Sequence, residues 1–370
     1  TCCPWPTPRR VASSWLSPLP AASCSVSPAT PIESVVTVFQ NTGQALLDDA
    51  VGAVVVAVSI LALFIGAEIA SRWARLPVEW TRKATHVGSG VIVLAFPWLL
   101  QHTVTVGLLA ASFGAILLGG KVTGLLGSIH NVERRTSGAY YYPLAVLGTW
   151  VVSGGAPLQF CVPLAIMAVA DTGAALVGQR AGETTYRVLD GYRSLEGSMA
   201  FFGLAFTIVL VASSINGYPV WPATLLVALV VAVLTTAVES VSVRGSDNIG
   251  IPYAAWLAIE QTERLGLDAL GDWVFGMILG AVLLIASIER ARLDASGAIF
   301  VFLVASLSFA LGGWAWFAPL AALYVGFLAA RTPDANGLER VFPTTAGAVI
   351  IVLVWAHTGE EGLYTAYLAA

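Results

Sequence analysis

Charge is scarce in this chain: Asp, Glu, Lys and Arg together make up 11% of its 370 residues. A soluble domain carries about a quarter charged residues, so this surface is not built for water. Cysteine is scarce too, with only Cys2, Cys3, Cys24 and Cys161, none at zinc-type spacing with histidine. That implies neither a disulfide framework nor a metal cage of the cysteine type. The net charge of −4 is spread over the chain, and no basic stripe suggests nucleic acid as a partner. Strict apolar/polar alternation is missing as well, and with it the signature of a membrane β-barrel.

What remains is hydrophobic: 57% of residues are apolar and the mean hydropathy is +0.80. Apolar runs lie near 50–70, 86–101, 103–120, 138–154, 157–178, 198–215 and 220–239. They continue with a short one at 251–259 and others near 269–288, 295–313, 314–330 and 344–357. A helix crosses the hydrocarbon core with about 20 such residues, and lipid tolerates only structures that satisfy their own backbone. The chain therefore reads as all-α, a polytopic integral membrane bundle of about nine to eleven transmembrane helices. Residues 1–45, rich in Pro and Ser with Arg9 and Arg10 and no acid before Glu33, read as a disordered leader or a fragment artefact. Membrane domains are expected over 46–262 and 263–370.

Lys and Arg prefer cytoplasmic loops. Arg72, Arg75, Arg82, Lys83, Lys121, Arg134, Arg135, Arg180, Arg187, Arg193 and Arg244 all fall on alternate connections, whereas "QHTV", "SGGAP" and "INGYP" have none. One face, cytoplasmic or, in a plastid, stromal, thus holds every basic residue between 72 and 244. The same connections hold "WTRKATHVGSG" (80–90), "ERRTSGAYYYPLA" (133–145), Asp171, "YRSLEGS" (192–198) and "ESVSVRGSDNIGIP" (239–252). Five polar clusters far apart in sequence are expected to converge on that face.

Asp171 interrupts an apolar run, where an ionisable group costs about 2.5 to 3.5 kcal/mol and marks a site by default. Its bland alternative is a carboxylate at headgroup level. Asp171, Ala174, Ala175 and Gly178 share one helical face, which would either pack a neighbouring helix closely or admit a phosphate chain. Arg82, Lys83 and His86 beside Trp80 read equally well as interfacial anchors. Asp247 and Asn248 are turn residues. With Glu239 and Asp171, Asp247 would also supply hard oxygen ligands for Mg²⁺, which binds one or two carboxylates plus substrate phosphates. Acids for a metal, cations for phosphates and a lipid-lined chamber suggest transfer of a phosphoryl or nucleotidyl group to a lipid.

In order and spacing, "RKATH", "RRTSGAYYYPLA", "ADTGAALVGQRAG", "RSLEGSMAFF" and "ESVSVRGSDNIGIP" resemble the polyprenol kinase family, the phytol, farnesol and dolichol kinases. These are related to CTP-dependent diacylglycerol kinases and phosphatidate cytidylyltransferases. The resemblance covers roughly residues 50–260. The family has Lys before its Ser-x-Glu-Gly-Ser, where this chain has Arg193. After Arg292 the sequence resembles the start of the phytyl-phosphate kinase membrane family, as in a fusion whose second part is cut short. The resemblance implies CTP as donor, Mg²⁺, and a prenyl alcohol held in the bilayer. It implies metal or nucleotide contacts at Asp171, Glu239, Asp247 and Asn248, and phosphate neutralisation by Lys83, Arg193 and Arg135. It further implies a phosphate-side turn of Ser194, Glu196, Gly197 and Ser198, a cofactor contact at Gly178, and His86 or Asp171 as base for the hydroxyl. Two other readings stand beside it: a cytidylyltransferase that makes a CDP-lipid, and a transporter using Asp171 as an ion site.

Overall fold

The computed structural model describes residues 31–73, 78–123, 138–188, 191–218, 222–290, 294–329, 351–352, 354–356, 358–360 and 362–364. Residues 1–30 of the expected leader, Arg135, and most of the run at 344–357 lie outside the described residues. The chain divides into two units, Thr1–Leu46 and Leu47–Ala370. The first contributes only residues 31–46 of α1, so this helix begins inside the segment set apart above as a leader. The rest of the description concerns the second.

Helices α1 (Pro31–Trp73), α2 (Val78–Val93), α3 (Phe96–Leu99), α4 (Thr103–Thr123) and α5 (Gly138–Ser153) come first. Next, α6 (Pro157–Ala165) runs through a π-helical segment, Ile166–Ala170, into α7 (Asp171–Ala181). A short antiparallel hairpin, β1 (Thr185–Val188) and β2 (Gly191–Ser194), with Tyr186 opposite Arg193, leads into α8 (Leu195–Ile215). The chain continues with α9 (Ala223–Val241), α10 (Asp247–Arg264), α11 (Leu267–Arg290) and α12 (Ala295–Ala329).

Among the described residues seven helices are long and apolar enough to span a membrane: Leu46–Trp73, Thr103–Gly120, Pro157–Ala181, Leu195–Ile215, Ala223–Val241, Leu267–Ala286 and Ala295–Ala322. The last is kinked at Gly313 (φ 63°, ψ −154°), where the apolar runs 295–313 and 314–330 meet. Helices α2 and α5 have 16 residues each, and α10 is too polar for a lipid-facing span. Yet α10 runs beside the α6–α7 span from Gln159 to Asp171. Its first residue, Asp247, feels the charge of Asp171, and near its last turn Glu263 accepts from Gln159 Nε2 at 2.8 Å. It can cross without being apolar all round because α5, α6, the π segment and α9 surround it, burying Ile251, Pro252, Ala255, Ala258 and Ile259.

Hydrophobic burial drives little between helices that both sit in lipid, so close packing and satisfied polar groups hold such bundles. Phe160, Leu164, Ile166, Met167, Phe201, Ile251 and Trp273 are fully buried, while Leu61, Ile65 and Ile69 along α1 face outward. Small residues set the tightest approaches. A Cβ at Gly90 of α2 would fall 2.4 Å from Ala168 Cβ in the π segment. At the end opposite the site, Asp49 of α1 accepts from the backbone of Gln101 (2.5 Å) and His102 (3.4 Å) and from the Thr105 hydroxyl. A carboxylate from one helix thereby holds the turn that leads into another, α4.

Candidate active site

The site is built around the π segment. A π turn hydrogen-bonds to i+5 and leaves the local carbonyl ladder out of step, and such turns concentrate where function needs an exposed backbone group. Here the Met167 carbonyl meets His86 Nε2 at 3.3 Å. Opposite a carbonyl the imidazole nitrogen must donate, so in the neutral ring Nδ1 is left as the acceptor. The Tyr142 ring stands edge-on to His86 at 5.5 Å, and Ser89 Oγ, one turn along α2, donates to the His86 carbonyl at 3.0 Å. Immediately after the π segment comes half-buried Asp171, whose charge acts on His86, Glu239 and Asp247 alike.

Described residues from all five sequence clusters meet here, the second cluster through Gly138 and Tyr142. From α2, Arg82 acts on both Asp247 and His86, and buried Lys83 acts on His86. Asn248 packs over the start of α5, since a Cβ at Gly138 would sit 2.7 Å from its Nδ2. From β2, Arg193 Nη1 pairs with buried Glu239 Oε1 at 2.7 Å. The loop from α9 to α10 turns through two successive left-handed residues, Arg244 (φ 50°) and Gly245 (φ 91°). Ser246 closes it by accepting from Val243 N at 3.0 Å, and Asp247 Oδ1 accepts from Asn248 N at 2.9 Å. A non-glycine residue at positive φ is uncommon, and this one aims the Asp247 carboxylate back at Asp171 and Arg82.

The "RSLEGS" residues are engaged with one another and with the hairpin. Ser194 is the N-cap of α8, its Oγ accepting from Gly197 N at 3.1 Å. Glu196 Oε1 accepts from Thr184 N at 3.0 Å. Ser198 Oγ and Tyr186 OH lie 2.6 Å apart, and the same tyrosine donates to Ser240 Oγ at 3.0 Å. Gly178 and Gly197 face each other where α7 crosses α8. A Cβ on Gly197 would lie 3.4 Å from Gly178 Cα and 3.0 Å from the Ala174 carbonyl. Of the two uses open to the Ala174–Gly178 face, close helix packing is the one the structure adopts.

Residue type alone leaves two groups of the site unmarked. Arg82 reads equally well as an interfacial anchor, although its charge acts on Asp247. Tyr186 ties the hairpin to α8 and α9, and nothing but a lone aromatic in a four-residue strand marked it. Among the described residues no group of three or more His, Cys, Asp or Glu side chains is arranged to hold a metal by itself. Asp171 and Asp247 are nonetheless the pair of hard oxygen donors that Mg²⁺ bound largely by substrate phosphates would use, while Glu239 is taken up by Arg193.

Phytol kinase from Synechocystis sp. is 33% identical to this chain over 211 residues, 55% of this chain and 89% of that one. A helical membrane bundle with such a relative, and with cations and acids gathered at one end, is a membrane lipid-alcohol kinase. No family model and no solved structure matches the chain. The chain belongs to the polyprenol kinase family, to which phytol kinases belong.

Proposed function

We propose that the protein phosphorylates a membrane-embedded prenyl alcohol of the phytol type, with CTP as donor and Mg²⁺ as the donor's counter-ion, at the cytoplasmic (or stromal) face. The observation that carries this reading is the meeting of Arg82, Lys83, His86 and Arg193 with Asp171, Glu239 and Asp247 at one end of a lipid-facing bundle. Phosphoryl transfer asks the protein mainly for positioning and charge neutralisation, and this set supplies both. Asp171 and Asp247 would hold Mg²⁺, which neutralises phosphate charge when bound. Arg82 and Lys83 offset the triphosphate, and Arg193, already bound to Glu239, has further guanidinium donors to offer.

In the transfer, the alcohol oxygen forms a bond to the γ-phosphorus, the bond to the bridging oxygen breaks, and CDP leaves. The hydroxyl proton passes to His86, whose Nδ1 is the available acceptor because Nε2 donates to Met167. Purified protein in lipid nanodiscs, offered CTP, ATP, GTP or UTP with phytol, farnesol, geranylgeraniol or dolichol, tests the reading. The expected result is a lipid monophosphate and CDP. A CDP-lipid with pyrophosphate would make it a cytidylyltransferase, and no nucleotide turnover would overturn the kinase reading.

A further inference from the structure

Between α1, α2, α4 and α5 lies an apolar pocket with about 470 Å³ of empty space, counting the part open to its surroundings. Its walls include Phe64, Val93, Phe96, Val106, Phe113 and Val146. It follows α4 from Val106 to Leu117, about 16 Å at a rise of about 1.5 Å per residue, a shape for a chain rather than a compact ligand. Its polar lining is Ser89 and Tyr142. Both belong to the His86 environment: Ser89 donates to the His86 carbonyl and the Tyr142 ring abuts the imidazole. The Tyr142 hydroxyl is buried and has no partner of good hydrogen-bond geometry, the Ser89 hydroxyl standing beside it. A buried hydroxyl whose one neighbour, Ser89, is poorly aligned, among otherwise apolar walls, points to a ligand that brings its own hydroxyl.

Resting on the kinase reading above, we propose that this cavity seats the isoprenoid tail of the alcohol, with the alcohol's hydroxyl at the level of Tyr142 and Ser89, beside His86. The depth of the chamber then sets chain-length preference. Ala110, on the cavity wall, is the residue through which to test it. Ala110→Phe should lower kcat/KM for phytol relative to geraniol by about tenfold or more, the scale on which apolar pockets discriminate size. Phe113→Ala, which enlarges the chamber, should move the preference the other way and covers the case in which Ala110→Phe does not fold. A wild-type enzyme that phosphorylates prenyl alcohols, with variants whose length preference is unchanged, would overturn the cavity assignment and leave the kinase reading standing.

A second arm needs no turnover. A diazirine-bearing prenyl alcohol, photolysed in nanodiscs without nucleotide, should label the segment 106–117 on its cavity side and be competed by phytol but not by phospholipid. Labelling confined to the outward residues Val104 and Leu108, or competed equally by phospholipid, would mean an ordinary lipid-facing groove. Specific labelling of the cavity in a protein that phosphorylates no prenyl alcohol would instead locate the failure in the kinase reading.

Discussion

Arg193 Nη1 stands 2.7 Å from Glu239 Oε1, and Nη2 of the same guanidinium reaches the carbonyls of Glu239 and Ser242 at 3.4 Å. The hairpin is thereby fastened to the C-terminal end of α9, where a cation also suits the exposed carbonyls. Removing one member of a buried pair strands the other charge, at about 3–5 kcal/mol. Arg193→Ala should accordingly lower the melting temperature in detergent, and Glu239→Gln added to it should restore most of the loss. If the nucleotide KM stays raised in that double variant, Arg193 also touches phosphate. Absence of any stability recovery would show that the pair is not what Arg193 contributes.

Asp171→Asn and Asp247→Asn should each abolish lipid phosphorylation while leaving expression, insertion and melting temperature close to wild type. An amide keeps the shape but loses the charge that a metal needs. Mg²⁺ titration of residual activity checks the reason, since both variants should need far more metal than wild type. Wild-type turnover in Asp171→Asn would return that residue to a headgroup-level carboxylate.

His86→Gln should reduce kcat by about two orders of magnitude or more with little change in nucleotide KM, as expected for loss of a general base. Gln retains a donor for the Met167 carbonyl, so the fold is expected to hold. An effect confined to KM would assign His86 to binding.

Gly90→Ala should cost about 1–3 kcal/mol, because its Cβ would meet Ala168 Cβ at 2.4 Å and neither backbone can yield freely. The pair Gly90→Ala with Ala168→Gly moves the methyl from one helix to the other and should recover most of the stability. Thermal unfolding of the three variants decides it.

Single cysteines at Thr184 and Ser246, in a protein otherwise free of cysteine, should react with an impermeant maleimide from the same side of sealed vesicles. Those at Gln101 and Asn216 should react from the other. Labelling of Thr184 and Ser246 from opposite sides would separate the halves of the site.

The convergence of five clusters was legible because the positive-inside pattern orders loops by side, and polar residues on one side of a narrow bundle have few places to go. Helix α10 was only half legible. Its 251–259 run is too short for lipid, and its crossing depends on neighbours that hide its polar faces. The Arg193–Glu239 pair was not legible at all. Sequence shows a cation before Ser-Leu-Glu-Gly-Ser and an acid at the end of a span 46 positions on, but not that the hairpin folds back to join them. Likewise the face of Asp171, Ala174 and Gly178 left two uses open, and only the position of Gly197 across from it selects one.

The π segment also has a meaning in terms of angular phase. One extra residue per turn advances a helix by about 100° and about 1.5 Å, so everything after Ala170 is rotated relative to α6. With that offset, Phe160 and Leu164 are buried upstream while, downstream, Asp171 turns toward His86 and Gly178 toward Gly197. Deleting one residue within 166–170 would let the helix run on as a regular α-helix. It would leave the acid on its present face, and what it would remove is the out-of-step carbonyl that meets His86.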